Sequence, residues 1–134
     1  MSTQETLVIA KPDAVRRRLV GEILRRIEEK ELRITELLMM RIDADLAGRH
    51  YEEHREKPFF EELVGFITSG PVVVAKVEGE DAVTVVRELM GPTDPADAPP
   101  GTIRGDYGEV ITENLVHGSD SPESAKRELD LFFD

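Results

Sequence analysis

The chain contains no cysteine, which excludes disulfides, thiolate metal sites and cysteine nucleophiles and fits a reducing compartment. It also lacks an apolar window of about 18 residues, the length a membrane-spanning helix needs. Its start has no apolar segment followed by a cleavage pattern, so no secretory signal is read there. A cytoplasmic protein without a membrane partner is expected. Positive charge is scarce: 17 lysines and arginines stand against 28 aspartates and glutamates, a formal net charge of -11. Such a field repels polyanions, so nucleic acid is not expected as a main partner, and an anionic ligand requires a local cationic pocket. The acid excess serves solubility or adaptation to salt, which composition does not separate. Neither a G-x-x-x-x-G-K loop ending in Ser or Thr nor a G-x-G-x-x-G fingerprint occurs, leaving a P-loop or dinucleotide-binding fold unsupported.

What is present organises into one unit. At 134 residues the chain can bury a sizeable core but is too short for two ordinary domains, so residues 1–134 are read as a single domain. Residues 6–10 are β-branched and apolar, and Lys11-Pro12-Asp13 ends the run, which places Lys11 at a strand end. Val15, Leu19, Ile23, Leu24 and Ile27 recur at helical spacing, with arginines and glutamates on the other face. Residues 33–42 are apolar enough for a buried strand. Asp43 or Asp45 can cap a helix through His54, and residues 59–68 fit another. Beyond Ser69-Gly70-Pro71, the run Val72-Val73-Val74-Ala75-Lys76-Val77 is the clearest strand. Residues 81–90 read as a helix stopped by Gly91 and Pro92. Residues 92–108 hold too many prolines and glycines for a regular element and read as a long functional loop or a disordered one, anchored by neighbouring subunits if ordered. A strand over 110–117 and a helix over 122–132, with Pro122 in its first turn, complete the chain. This order predicts an α+β sandwich, an antiparallel sheet with helices on one face.

The chemistry centres on Asn114-Leu115-Val116-His117-Gly118-Ser119-Asp120-Ser121. It sets a histidine at the end of an apolar run, and the Ser, Asp and Ser that follow can cap the next helix and leave amide donors for anionic oxygen. Imidazole is largely neutral near pH 7 and serves as a nucleophile. A lone strand-end histidine is ordinarily just packed there; the segment around His117 sets it apart. That segment resembles the signature of the nucleoside diphosphate kinase family. The likeness continues through Val8-Ile9-Ala10-Lys11-Pro12-Asp13, Leu19-Val20-Gly21-Glu22-Ile23, Lys57-Pro58-Phe59-Phe60, Thr68-Ser69-Gly70-Pro71-Val72-Val73 and Pro99-Pro100-Gly101-Thr102-Ile103-Arg104-Gly105-Asp106.

The resemblance implies a ferredoxin-like β-α-β-β-α-β sandwich with a four-stranded antiparallel sheet covered by helices. It implies transfer of the γ-phosphate of a nucleoside triphosphate, mainly ATP, to nucleoside and deoxynucleoside diphosphates by a ping-pong route through phosphorylated His117. Glu128 would then orient the imidazole or bond Ser119, and Lys11, Arg87, Arg104 and Thr93 would gather around the phosphates. Tyr51 would lie near the γ-phosphate and His117. Phe59 would stack on the base opposite Ile111, and Asn114 and Lys11 would hold ribose hydroxyls. Mg2+ would arrive with the nucleotide, with Asp120 as an outer partner and no metal ligands of the protein's own. The family also implies a homo-oligomer, a hexamer in preference to a tetramer.

Taken singly, Glu128 is a solvated helix carboxylate, and Lys11, Arg87 and Arg104 are ordinary surface cations. Together, two guanidiniums and an ammonium can neutralise a transferring phosphoryl group. Rival motifs are weaker. His50-Tyr51-Glu52-Glu53-His54 fits the inverted zincin pattern with both histidines on one helix face, but no third ligand stands out. Arg104-Gly105-Asp106 spells an adhesion tripeptide inside a segment the family uses for phosphate. Arg16-Arg17-Arg18 and Arg25-Arg26 read as a solvated helix face. Ala14, Arg18, Glu31 and Thr112 stand where relatives often carry glycine, and Tyr107 replaces a usual phenylalanine. A non-glycine residue in a left-handed turn at Glu31 costs on the order of 1 kcal/mol. Two other classes compete: a catalytically silent nucleotide-binding or interaction scaffold of the same fold, and a DNA-contacting role for the arginine-rich helix, which failure to bind DNA at physiological salt would remove.

Overall fold

A computed structural model describes residues 3–111 and 113–133. Strands β1 (Thr3–Ala10), β2 (Arg33–Met40), β3 (Val72–Glu80) and β4 (Val116–Gly118) form one four-stranded sheet in the order β2-β3-β1-β4. All pairings are antiparallel. Helices α1 (Pro12–Arg16) and α2 (Val20–Glu29) link β1 to β2, and α3 (Ala44–His50) and α4 (Phe60–Ile67) link β2 to β3. Helices α5 (Ala82–Met90) and α6 (Ile103–Tyr107) precede β4, and α7 (Pro122–Phe133) follows it. This is the expected ferredoxin-like α+β sandwich.

The sheet is covered on both faces, which corrects the expectation of helices on one. Side chains alternate along a strand, so β1 sends Val8 and Ala10 into one cluster and Leu7 and Ile9 into the other. The first cluster packs against Ile23 and Ile27 of α2 and Val86 and Leu89 of α5. The second packs against Ala47 of α3, Ile67 of α4, and Leu129 and Phe132 of α7. Consecutive apolar residues in β1 and β3 leave no polar side to face water, and that demands two layers of helix.

Other expectations shift at the edges. β2 is an edge strand rather than a buried one: Leu37, Leu38 and Met39 are 53%, 43% and 60% exposed. Its composition is that of an interior strand, but among the described residues only β3 pairs with it. The helix expected through His54 ends at His50 and passes into a 3-10 turn, Glu52–His54. The strand expected over 110–117 contracts to β4, preceded by an isolated bridge between Val110 and Glu113. Within 92–108, Asp94 caps a 3-10 turn (Pro95–Asp97) and Thr102 caps α6, accepting from Gly105 N–H at 3.0 Å. A Cβ at Gly105 would run into the Pro99 carbonyl, so this turn requires glycine. The loop is also anchored within its own chain: Arg17 donates to the Tyr107 carbonyl at 2.7 Å, and Arg26 pairs with Asp106 at 2.8 Å. Arg26 also bonds Glu22 and keeps only 14% of its side chain exposed, so it is no part of a solvated face.

The departures from glycine separate by backbone conformation. Arg18 and Glu31 have φ of 61° and 63°, the region where a Cβ is strained. Arg18 breaks the expected single helix into α1 and α2. Ala14 lies inside α1, where no left-handed backbone is required, and Thr112 lies outside the described residues. Glu31→Gly is expected to stabilise the fold by about 0.5–1 kcal/mol, relief of strain outweighing the added freedom of the unfolded chain. Urea unfolding checks this; a lower midpoint would contradict a strained turn at Glu31.

Candidate active site

The pairing of β1 with β4 assembles the site. Ile9 lies opposite His117 and Ala10 opposite Val116, so Lys11, the residue after β1, meets the segment that enters β4. That segment turns sharply at Leu115, which is fully buried with φ 75°. A branched residue holds this conformation only when its surroundings enforce it. Here both backbone groups are tied: the Leu115 N–H donates to Asp13 Oδ2 at 3.0 Å, and its carbonyl accepts from the Lys11 N–H at 2.8 Å. Asn114 is thereby turned toward Lys11, whose Nζ donates to its Oδ1 at 2.9 Å, while Asn114 Nδ2 donates to the Thr93 carbonyl at 3.0 Å. Burial pushes the Asp13 carboxyl up in spite of its backbone donors. Asp13 was not among the candidates drawn from sequence; its only signal was its place in Lys11-Pro12-Asp13.

His117 Nε2 lies 2.8 Å from Glu128 Oε1, which also accepts from Ser119 Oγ at 2.8 Å. Burial pushes the Glu128 carboxyl up, but the bonds from His117 and Ser119 and the charge of Arg127 outweigh it and hold it below the ordinary carboxylate value. An ionised carboxylate only accepts, so in the neutral ring Nε2 carries the proton and Nδ1 the lone pair. Glu128 is buried on α7, not solvated as a lone helix carboxylate would be. Ser121 caps that helix, accepting from the Ser124 N–H at 3.1 Å. Asp120 instead accepts from Arg87 Nη1 at 2.6 Å.

The three expected cations converge. Burial, then Arg104, lowers the Lys11 pKa to about 8, with Asp13 opposing. Burial, then Arg87, lowers that of Arg104 to about 10. This is the local cationic pocket that a chain of net charge -11 requires for an anionic ligand. Arg104 is not a free surface arginine. Its Nη1, Nη2 and Nε donate to the carbonyls of Gly91, Val116 and Asn114 at 2.9, 2.7 and 3.2 Å. A guanidinium has five N–H groups, so two remain for a ligand. Its burial and helical setting also leave the adhesion tripeptide without an accessible arginine.

Phe59 and Ile111 are 43% and 52% exposed, so both side chains present apolar surface to solvent. Thr93 contributes its carbonyl through Asn114. Tyr51 is buried, and burial with the nearby Glu128 charge pushes its phenol up to about 12. Its ring packs 4.7 Å from that of His50. His50 is the residue the sequence pointed to for the wrong reason. The two histidines of the zincin pattern do not share a helix face, because α3 ends at His50. His50 is 3% exposed and packs edge-on against His117, ring centroids 4.5 Å apart. Burial above all, with the charges of Lys11 and Arg127, lowers its pKa to about 2, so it stays neutral.

Comparison with known proteins places this geometry. Residues 4–134 match the family model for nucleoside diphosphate kinase. The chain belongs to the nucleoside diphosphate kinase family. A nucleoside diphosphate kinase of Rubrobacter xylanophilus is 65% identical over 130 residues, covering 97% of this chain and 98% of the relative. The nucleoside diphosphate kinase of Aquifex aeolicus is similar in structure with a TM-score of 0.97 at 46% identity, covering 99% of this chain and 96% of that one. A halophilic nucleoside diphosphate kinase of Halobacterium salinarum, solved in complex with CDP, gives a TM-score of 0.96 at 52% identity, covering 99% and 89%. Members of the nucleoside diphosphate kinase family are phosphotransferases, and the convergent cations and oriented imidazole described above are parts such an enzyme uses.

With Lys11 on the phosphates, as the family resemblance implies, nucleotide binding is expected to depend on pH. Lysine is charged below its pKa, so affinity for a nucleoside diphosphate is expected to hold up to about pH 8 and to weaken above it. For stability the sign is reversed: the folded state sheds this proton before the unfolded chain does, so this group adds stability as pH rises from about 8 toward 10.5. Calorimetric titration at fixed ionic strength from about pH 7 to about pH 9.5 checks the binding trend; affinity independent of pH would contradict it.

Proposed function

We propose that the protein transfers the γ-phosphate of a nucleoside triphosphate, mainly ATP, to nucleoside and deoxynucleoside diphosphates through phosphorylated His117. The observation that carries this reading is the Glu128 carboxylate on His117 Nε2, which leaves the lone pair at Nδ1. In the first half-reaction Nδ1 attacks the γ-phosphorus, the bond to the β,γ-bridging oxygen breaks, and the nucleoside diphosphate leaves with that electron pair. In the second, a terminal oxygen of another diphosphate attacks the same phosphorus and Nδ1 departs. One phosphoanhydride replaces another, so the protein's task is positioning and charge stabilisation.

Lys11, Arg104, Arg87 and Thr93 neutralise and orient the phosphates, Asn114 and Lys11 hold the ribose, and Phe59 and Ile111 enclose the base. Stacking on Phe59 reads no base edge, which suits broad nucleotide specificity. Tyr51 supports the phosphoryl group beside His117, and Ser119 steadies Glu128. Mg2+ belongs to the substrate. Among the described residues, the one cluster of potential metal donors combines two imidazoles with a carboxylate, a set ill suited to Mg2+. Asp120, more than half exposed beside Arg87, suits an outer contact to a phosphate-bound ion.

The same reading takes the chain as a single domain and as the protomer of a cytoplasmic homo-oligomer, a hexamer in preference to a tetramer. Support for self-association comes from β2, whose free edge exposes Leu37 and Met39 on one face and Leu38 on the other, an arrangement that soluble proteins ordinarily cover. The bond between His117 and Glu128 favours this reading over the silent scaffold. The DNA-contacting role loses ground because Arg17, Arg25 and Arg26 are engaged within the chain.

His117→Ala is expected to abolish transfer while leaving nucleotide affinity within a few-fold. Arg104→Ala should slow turnover by about 10²-fold or more, the scale of losing one charge-stabilising donor. It should also lower the unfolding midpoint, since three carbonyls lose their donor. Steady-state transfer from ATP to a second diphosphate, with binding measured separately, checks both. Near-normal turnover in the histidine variant would overturn the mechanism.

A further inference from the structure

His50 is unexplained by phosphate transfer alone. Neither of its ring nitrogens has a hydrogen-bond partner among the described residues, although the side chain is 3% exposed. A neutral imidazole carries one N–H and one lone pair, and burying both unpaired costs free energy that native proteins rarely leave uncompensated. The ring is not isolated: it lies edge-on to His117. One nitrogen from each of His50 and His117 and one carboxylate oxygen of Glu128 all lie within 4.8 Å of one another.

From this juxtaposition we infer an inhibitory site for a borderline transition-metal ion, Zn2+ or Co2+, on His50, His117 and Glu128. Two neutral imidazoles and a carboxylate form a donor set of the type that holds Zn2+ with one position open, with metal–ligand bonds of about 2.0–2.2 Å. Donors on such an ion stand roughly 3.4 Å apart, so the widest pair need close by only about 1.4 Å. Glu128 supplies the negative charge. Opposing it are Lys11, whose charge bears on His50, and Arg127, whose Nη2 lies 3.7 Å from Glu128 Oε2. The ion must therefore be held through bonds to nitrogen. That favours Zn2+ and Co2+ over the oxygen-seeking Mg2+ that travels with the nucleotide.

Occupation would stop transfer by either nitrogen of His117. Bonding to Nδ1 removes the nucleophilic lone pair, and bonding to Nε2 moves the ring proton to Nδ1, which then has no lone pair to attack with. The loss of activity rests on the proposed phosphohistidine route; the binding of metal does not.

The test uses the untagged full-length chain without nucleotide, titrated with Co2+ and then Zn2+. One equivalent of Co2+ per chain, with the visible absorption of a four-coordinate ion displaced by Zn2+, is the expected result. The chain has three histidines, which makes assignment direct. His54→Asn should leave binding unchanged. His50→Phe, which keeps an aromatic ring in the packing, and Glu128→Gln should each weaken it by about 100-fold or more. Anomalous diffraction from a Zn2+-soaked crystal locates the ion without any variant and should find it between His50 and His117. In transfer assays, Zn2+ should inhibit and a chelator should restore activity. Absence of saturable Co2+ binding, binding lost in His54→Asn, or an ion located elsewhere would each overturn the site. Metal bound between these residues by a chain with no transfer activity when metal-free would uphold the site while removing the proposed function.

Discussion

The site depends on the antiparallel junction of β1 with β4. β1 is a central strand, buried from Thr6 onward and paired on both sides, so its end is held by ladder bonds on either side. Pairing Ile9 with His117 fixes that imidazole against the strand, and the backbone bond from Lys11 to Leu115 fixes the cation against the approach to β4. Had β4 slipped by one residue, His117 would point to the opposite face of the sheet, since side chains alternate with period 2. The kink at Leu115, held by Asp13, allows a strand of three residues to present Asn114 to Lys11 and His117 to Glu128.

Around this junction the protein meets an electrostatic problem set by its own composition. For a chain with a net charge of -11 a polyanion needs local positive charge, and the fold concentrates Lys11, Arg87 and Arg104 while holding Lys11 and Arg104 within hydrogen-bonded frames. Mutual repulsion and burial lower the pKa of Lys11 and Arg104. A polyphosphate would relieve that repulsion, so part of the binding free energy is stored in the empty arrangement. The carbonyls of Gly91, Asn114 and Val116 keep the Arg104 guanidinium oriented before any ligand arrives. Such preorganisation matters in a reaction whose barrier is lowered by placing charge rather than by moving protons.

Much of this was legible in the sequence. Short apolar runs, one ended by Lys11-Pro12-Asp13 and one begun by Ser69-Gly70-Pro71, marked the central strands, and the segment around His117 marked the candidate site. What escaped has physical causes. The exposure of β2 is not encoded in its own residues, because Leu37 and Met39 read as interior whether a neighbouring strand or another subunit covers them. The order within 92–108 arises from side-chain caps and from Arg17 and Arg26, which lie far away in sequence. The bond from Asp13 to Leu115 spans most of the chain, and an aspartate beside a proline gives no sign of a partner at that distance. His50 drew notice through a spurious pairing with His54, when its actual neighbour is His117. The turns at Arg18 and Glu31 were the reverse case: a departure from glycine flagged the left-handed backbone the structure contains there.

The central claim is that His117 carries the phosphoryl group between two nucleotides. The most direct measurement is to incubate the chain with γ-labelled ATP and Mg2+, isolate it, and then add unlabelled GDP. The account predicts label on the protein that is lost in acid, survives alkali, and leaves as labelled GTP on the chase. Folded, nucleotide-binding protein that takes up no label, or label that GDP does not remove, would contradict it.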